Sequence, residues 1–234
     1  RIYQKQGLDP IKHPVFPASF AQIDRHSAQF EEDLKAYFLG AEQFERDFGS
    51  TYRTDLPRLI AETLNLMVPG GQIQAPEGIG HGTYLPGSFR IQCPEKVNIN
   101  LHCGYQFIHL FPKYYTHLSS IVYVRDQLSY FLMVQEPESG GRLIVYDINW
   151  NAAADCHAPT NTLITKEGAK IELDSSKKIA REYHHVGAGD LLIFAGGQLW
   201  HEVEQVHGQK DRITYGGFLG FGKGERKNDV YWWS

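Results

Sequence analysis

Two of the eleven histidines sit where an imidazole can be held rigidly. His102 closes the alternating run Val97-Asn98-Ile99-Asn100-Leu101 and is followed by Cys103-Gly104. His201 follows the Gly196-Gly197 turn and lies in the run Trp200 to Val206. Neutral imidazole is the commonest side-chain ligand of transition metals, so two histidines anchored on strands form a candidate metal centre. Arg212 comes eleven residues after His201 and opens the run Ile213-Thr214-Tyr215-Gly216-Gly217-Phe218. A guanidinium offers a planar fork that grips a carboxylate at two points. A single histidine on an apolar strand is more often a packed core residue, and a single arginine is more often an exposed ion-pair partner. The combination in one order points to chemistry.

Iron oxygenases hold Fe(II) with two histidines and one carboxylate, leaving open positions for reactants. Gly104, which follows Cys103 just after His102, has no ligand atom. Asp126 and Asp147 lie on or beside other strands, and either remains open as a third ligand. Glu202 alternates to the face opposite His201 and is disfavoured. No HExxH motif supports a zinc hydrolase. Ser129 lies in the run Gln127-Leu128-Ser129-Tyr130-Phe131, where alternation gives residues 127, 129 and 131 one face.

These residues need a rigid scaffold. From Thr83 onward the chain reads as short strands: Val97 to Leu101, Leu128 to Val134, Leu143 to Ile148, Leu191 to Phe194, Trp200 to Val206 and Ile213 to Phe221. Glycine-rich turns separate them, as at residues 137–141, 187–190 and 196–197. Many short strands with no intervening helices predict a mainly β fold, a closed antiparallel sandwich or jelly roll. Residues 152–185 are polar and irregular and read as an insert or lid. His184-His185 reads as a solvated loop pair, and Trp232-Trp233 as packing.

Residues 27–67 read as helical support on the outside of that core. Phe30, Leu34, Tyr37 and Phe38 share one helical face, with Ser27 as N-cap. A second helix is expected from about Asp55 to Met67, with Pro57 in its first turn and Pro69-Gly70-Gly71 closing it. The expectation is one domain over residues 1–234, with the jelly-roll core at 83–234.

Composition narrows the partners. The chain has 234 residues, 42% hydrophobic and 21% charged, with a formal net charge of −4. Collagen, coiled coil and disorder are excluded. A small acidic balance argues against nucleic acid or an anionic membrane. The three cysteines, Cys93, Cys103 and Cys156, cannot all pair and form no CxxC, which fits a reducing, cytoplasmic setting. The chain begins with Arg1 and shows no signal peptide, so the expected start lies upstream.

The two histidines and the following arginine resemble the iron and 2-oxoglutarate-dependent dioxygenases, in which a Gly or Ala at the acid position marks the aliphatic halogenases. Closer still, Asp126-Gln127-Leu128-Ser129-Tyr130-Phe131, Gly140-Gly141-Arg142-Leu143-Ile144-Val145-Tyr146, Gly189-Asp190-Leu191-Leu192-Ile193-Phe194, Gly216-Gly217-Phe218-Leu219 and Tyr231-Trp232-Trp233-Ser234 resemble the freestanding halogenases of welwitindolinone and hapalindole-type alkaloids. The resemblance covers about residues 97–234. It implies a cupin-like double-stranded β-helix with N-terminal helices, and Fe(II), 2-oxoglutarate, dioxygen and chloride or bromide as cofactors. His102 and His201 would be iron ligands, with halide beside Gly104. Arg212 would pair with 2-oxoglutarate, and Ser129 would hydrogen-bond the reactive oxygen. Ile99 and Phe107 would line the pocket of a small-molecule, alkaloid-like substrate, and the product would gain a halogen on an sp3 carbon. The alkaloid enzymes carry Asn-Asp where this chain has Tyr105-Gln106, which points to a different substrate. The alternatives are a hydroxylase on the same scaffold and a cupin-like binding module without oxidative turnover.

Overall fold

The computed structural model describes residues 30–234, apart from 53, 81, 97, 98, 111, 152–154, 158–161, 166, 173–179, 184 and 185. In chain order the elements are α1 (Phe30–Tyr52), α2 (Leu56–Asn65), β1 (Ile73–Gln74), β2 (Ser88–Gln92), β3 (Ile99–His102), α3 (Gly104–Leu110) and α4 (Pro112–Ile121). The strands β4 (Leu128–Gln135), β5 (Ser139–Gly140), β6 (Leu143–Asn149), β7 (Asp155–His157), β8 (Thr162–Ile164), β9 (Lys170–Glu172) and β10 (Ala180–Tyr183) follow. The last five are β11 (Leu191–Phe194), β12 (Leu199–Val203), β13 (Val206–His207), β14 (Arg212–Phe221) and β15 (Val230–Trp233). Ser27 and the pair His184-His185 lie outside the described residues.

The chain forms two compact units. The first contains the described residues up to Ser88, then Lys113–Tyr123 and Gly217–Ser234. On α1, Leu34, Tyr37, Phe38, Ala41, Phe44 and Phe48 are buried, a three-and-four spacing that turns one helical face inward. Asp55 caps α2 by accepting from the Arg58 N–H at 3.2 Å, and Pro57 sits in the first turn. Rings of Tyr37, Phe38, Tyr84 and Tyr114 meet edge to face at 5.1 to 6.3 Å. The Tyr37 hydroxyl accepts from the Leu85 N–H at 3.0 Å and donates to the Ser234 carbonyl at 2.6 Å. It thereby ties the helix to the buried C-terminal strand, which pairs antiparallel with residues 218–221 and parallel with β1.

The second unit, Phe89–Pro112 with Val124–Gly216, holds the predicted site residues. One antiparallel sheet runs β10-β6-β12-β3. A second layer pairs β4 antiparallel with β11. Phe131 and Met133 from β4 pack with Leu143, Val145 and Val203, joined by Ile99, Leu192, Phe194 and Leu199, so the two layers enclose one apolar interior. The other face of the first sheet packs Leu101, Tyr146, Ile148 and Trp200 against Leu163 of the β7-β8-β9 meander.

Three expectations need correction. Helices α3 and α4 follow His102 directly, where uninterrupted strands were expected. Buried Tyr114, Tyr115 and Leu118 follow a helical period, and Pro112 begins the second helix where its missing N–H costs nothing. The pairing of β1 with β15 is parallel, not antiparallel. The described parts of 152–185 include the strands β7 to β10, with β10 an ordinary member of the site sheet. Two boundaries also move. The run at 200–206 breaks because Glu204 leaves the strand to hold Arg142 at 2.6 and 2.7 Å, and α2 ends at Asn65, short of Met67.

The Tyr37 hydroxyl is the sole difference between Tyr37 and phenylalanine. Tyr37→Phe leaves the Leu85 N–H and Ser234 carbonyl without this partner in a buried place, and should lower unfolding stability by about 1–3 kcal/mol in urea denaturation.

Candidate metal centre

His102 ends β3 and His201 lies on β12, directly opposite in the antiparallel register. Their ring centroids are 4.2 Å apart with planes inclined by 54°. Each Nδ1 contacts a main-chain carbonyl two residues back: His102 to Asn100 at 2.6 Å, His201 to Leu199 at 2.8 Å. A carbonyl only accepts, so each Nδ1 carries the proton and each Nε2 keeps its lone pair. Burial, opposed by the Asn100 carbonyl and aided by Arg90, lowers the His102 pKa to about 4. Burial, then the neighbouring His102, holds His201 well below the ordinary histidine range. Two neutral imidazoles in this arrangement are a ready pair of metal ligands.

The register contains a shift that strand alternation alone would miss. His201 pairs with His102 and Val203 with Ile99, so three residue steps on β3 oppose two on β12. The bulge turns Ile99 and His102 to the same side despite their odd spacing. Ile99 therefore joins the apolar interior beside the histidines. Phe107 stands on α3 with its ring 5.7 Å from that of His102, and Phe194 meets His201 edge-on at 4.9 Å.

Gly104 begins α3, donating its N–H to Gly196 O at 2.8 Å, while Tyr105 donates to Gly197 O at 2.7 Å. The Gly196-Gly197 turn thus fixes the chain just beyond His102. Its glycines are required by close approach. A Cβ on Gly197 would stand 1.9 Å from Gln127 O, and one on Gly196 would stand 2.3 Å from Ser129 Oγ. A Cβ on Gly104 would meet Gln127 Nε2 at 2.6 Å and Gly197 Cα at 3.0 Å. Gln127 and Ser129 are both buried, and they reach the neighbourhood of Gly104 through this turn.

Arg212 is 2% exposed, donates from Nη1 to Gln92 Oε1 at 2.9 Å and lies over the Phe131 ring at 5.2 Å. Burial pushes its pKa down to about 10, with Arg90 contributing. Among the described residues, Arg212 Nε and Gln92 Nε2 are buried with no hydrogen-bond partner. Neither Arg90 nor Arg212 forms an ion pair among those residues. Arg90 depresses both histidines and Arg212, so a second cation belongs to the same region. Sequence reasoning missed Arg90 and Gln92. The available signal was the alternation Ser88-Phe89-Arg90-Ile91-Gln92, in which Ser88 and Gln92 are buried.

No group of three or more His, Cys, Asp or Glu residues able to hold a metal occurs among the described residues. Asp126 accepts from Gln198 at 3.2 Å, and Asp147 is exposed. Glu202 accepts from the Tyr146 hydroxyl and lines a separate cavity of about 550 Å³ with Arg142, Glu204 and His207. None of the three completes a triad with the histidines.

The sequence profile of the carrier-protein-independent halogenase WelO5 family matches residues 17–234. The chain belongs to this family. No curated protein matches it. Among solved structures, an N-substituted L-amino acid dioxygenase from Burkholderia ambifaria AMMD in complex with alpha-KG is similar at TM-score 0.59 and 16% identity, covering 95% of this chain and 78% of that one. A second structure of a dioxygenase so named, from the same organism, gives TM-score 0.59 at 15% identity over 94% and 77%. The fold is accordingly the dioxygenase jelly roll with helices toward the N-terminus, and the chain is an oxidoreductase of the halogenase family.

The residues present fit what such a halogenase needs. Two neutral imidazoles suit Fe(II). A buried guanidinium, Arg212, and the half-buried Arg90, neither paired with a carboxylate among the described residues, suit a dicarboxylate such as 2-oxoglutarate. The steric contacts at the glycines predict unequal costs. Gly197→Ala drives a methyl into main-chain atoms and should cost about 3 kcal/mol, whereas Gly104→Ala meets the end of a movable side chain and should cost about 1 kcal/mol, read by thermal or urea unfolding.

Proposed function

We propose that this chain halogenates an unactivated sp3 carbon of a freestanding small molecule, with chloride or bromide as halogen source. His102 and His201 hold Fe(II), Arg212 engages 2-oxoglutarate, and the halide takes the position beside Gly104. The observation that carries this reading is the facing pair of neutral imidazoles whose expected acid position is a glycine. When bound, iron with 2-oxoglutarate, dioxygen and halide supplies removal of a hydrogen atom and transfer of halogen to carbon, with release of succinate and carbon dioxide.

The chain's own contribution is orientation, charge balance and exclusion of water. The Asn100 and Leu199 carbonyls fix both rings in the Nδ1–H form, so neither must lose a proton to bind metal. Arg212 and Arg90 supply positive charge where a dianion is to sit. Gly104 omits one carboxylate charge, which a halide anion restores. The apolar walls around Phe131, Phe194 and Leu199 favour a dry site. Ile99 and Phe107 stand beside the histidines as substrate-lining groups, and Ser129, packed against Gly196, would offer its hydroxyl as a hydrogen-bond donor that biases the outcome toward halogen. An alkaloid-like ligand suits aromatic walls, and the different Tyr105-Gln106 pair points to a substrate distinct from that of the alkaloid enzymes.

The decisive experiment is mass spectrometry of products from a candidate-metabolite screen with iron, 2-oxoglutarate and chloride or bromide. A product mass gain of one halogen supports the reading; a gain of oxygen alone makes the chain a hydroxylase. His102→Ala and His201→Ala should each weaken iron binding by more than about 100-fold and stop succinate formation. Gly104→Asp should end halogenation, and Ser129→Ala should move product from halogenated toward hydroxylated. Halogenation surviving in Gly104→Asp, or an unchanged product ratio in Ser129→Ala, contradicts the corresponding role.

A further inference from the structure

We infer that the Gln127 carboxamide is the hydrogen-bond donor that holds the halide beside Gly104, a positioning residue for the anion. This inference rests on the halogenase reading above. A halide taken from water loses its hydration shell, and a buried anion needs protein donors in return. The place from which an acidic side chain would project at Gly104 has three nearest heavy atoms: Gln127 Nε2, Gly197 Cα and Gly196 O. Gly197 Cα is apolar. Gly196 O is an acceptor already taking the Gly104 N–H at 2.8 Å. The Gln127 amide is the one group of the three that can donate to an anion.

The surroundings fix the base of that side chain. Gln127 is 1% exposed, and the absent Cβ of Gly197 lets the turn close against its main chain and Cγ. Gln127 therefore reaches toward Gly104 from a packed main chain instead of swinging in from solvent. A neutral amide also suits the charge balance: a carboxylate there would repel the halide, and an ammonium would add a third cation to Arg90 and Arg212.

The test is an anaerobic chloride titration of the enzyme loaded with Fe(II) and 2-oxoglutarate, following the visible charge-transfer absorption of the metal-bound 2-oxoglutarate. Wild type should respond saturably. Gln127→Met keeps the length and bulk but removes both N–H donors, and should raise the apparent chloride Kd about tenfold, with the 2-oxoglutarate Kd unchanged. Gln127→Glu, which keeps the shape and puts an acceptor where the amide nitrogen stood, should weaken chloride at least as much and serves if the methionine variant does not fold. Wild-type absorption that ignores chloride overturns the halide reading and this assignment together. A wild-type response with the same chloride Kd in the variant overturns only the role of Gln127. Parallel loss of 2-oxoglutarate affinity makes Gln127 a general packing residue and overturns the role as well.

Discussion

Two imidazoles on neighbouring antiparallel strands meet at one point only if those strands keep a single register. Shifting β12 by one residue against β3 would send one ring to the opposite face, because side chains alternate with period two. The pairing of His201 with His102 is therefore the constraint from which the centre follows. It is secured from both sides: the glycine turn ahead of β12 binds the first residues of α3 by two main-chain hydrogen bonds, and the bulge behind the pairing returns Ile99 to the interior. The packed layers of Phe131, Val145 and Val203 make any slip expose apolar surface.

Charge in this interior is arranged around ligands rather than around side-chain partners. Burial keeps both histidines neutral, while Arg90 and Arg212 carry charge without an acidic partner among the described residues. Leaving guanidiniums partly desolvated is unfavourable by several kcal/mol in general. The dianionic cosubstrate proposed for this place would offset that cost on binding. Arg142, by contrast, pairs with Glu204 on the other face of the sheet, beside Glu202.

How much of this was legible in the sequence depends on whether a local pattern carried it. The strands around Ser129, Val145 and His201 alternate clearly, and their turns are marked by glycine pairs, so both the sheet elements and the facing histidines could be read. Helix α3 could not, since Tyr105, Phe107 and Ile108 suit a strand as well as a helix; the hydrogen bonds from Gly104 and Tyr105 to the distant turn decide the matter. Arg90 and Gln92 were missed because alternating polar residues ordinarily mark a solvent face, whereas here Gln92 turns inward to meet Arg212. Ile99 was assigned to the pocket by family resemblance, and the bulge supplies the physical reason its odd spacing from His102 does not prevent that.

The proposed role of Gly104 asks for more than an absent side chain. Were it a simple deletion, the space left behind would admit an aspartate with little disturbance. Instead the end of Gln127 stands within 2.6 Å of where the first side-chain atom would be, and Gly197 Cα within 3.0 Å. Gln127 in turn is held by the same turn that positions α3, so an acid at 104 disturbs the elements that aim His102. The two-histidine centre is thus a packed arrangement of Gly104, Gln127, Gly196 and Gly197, and a change between three-ligand and two-ligand chemistry must be carried by several of these positions together.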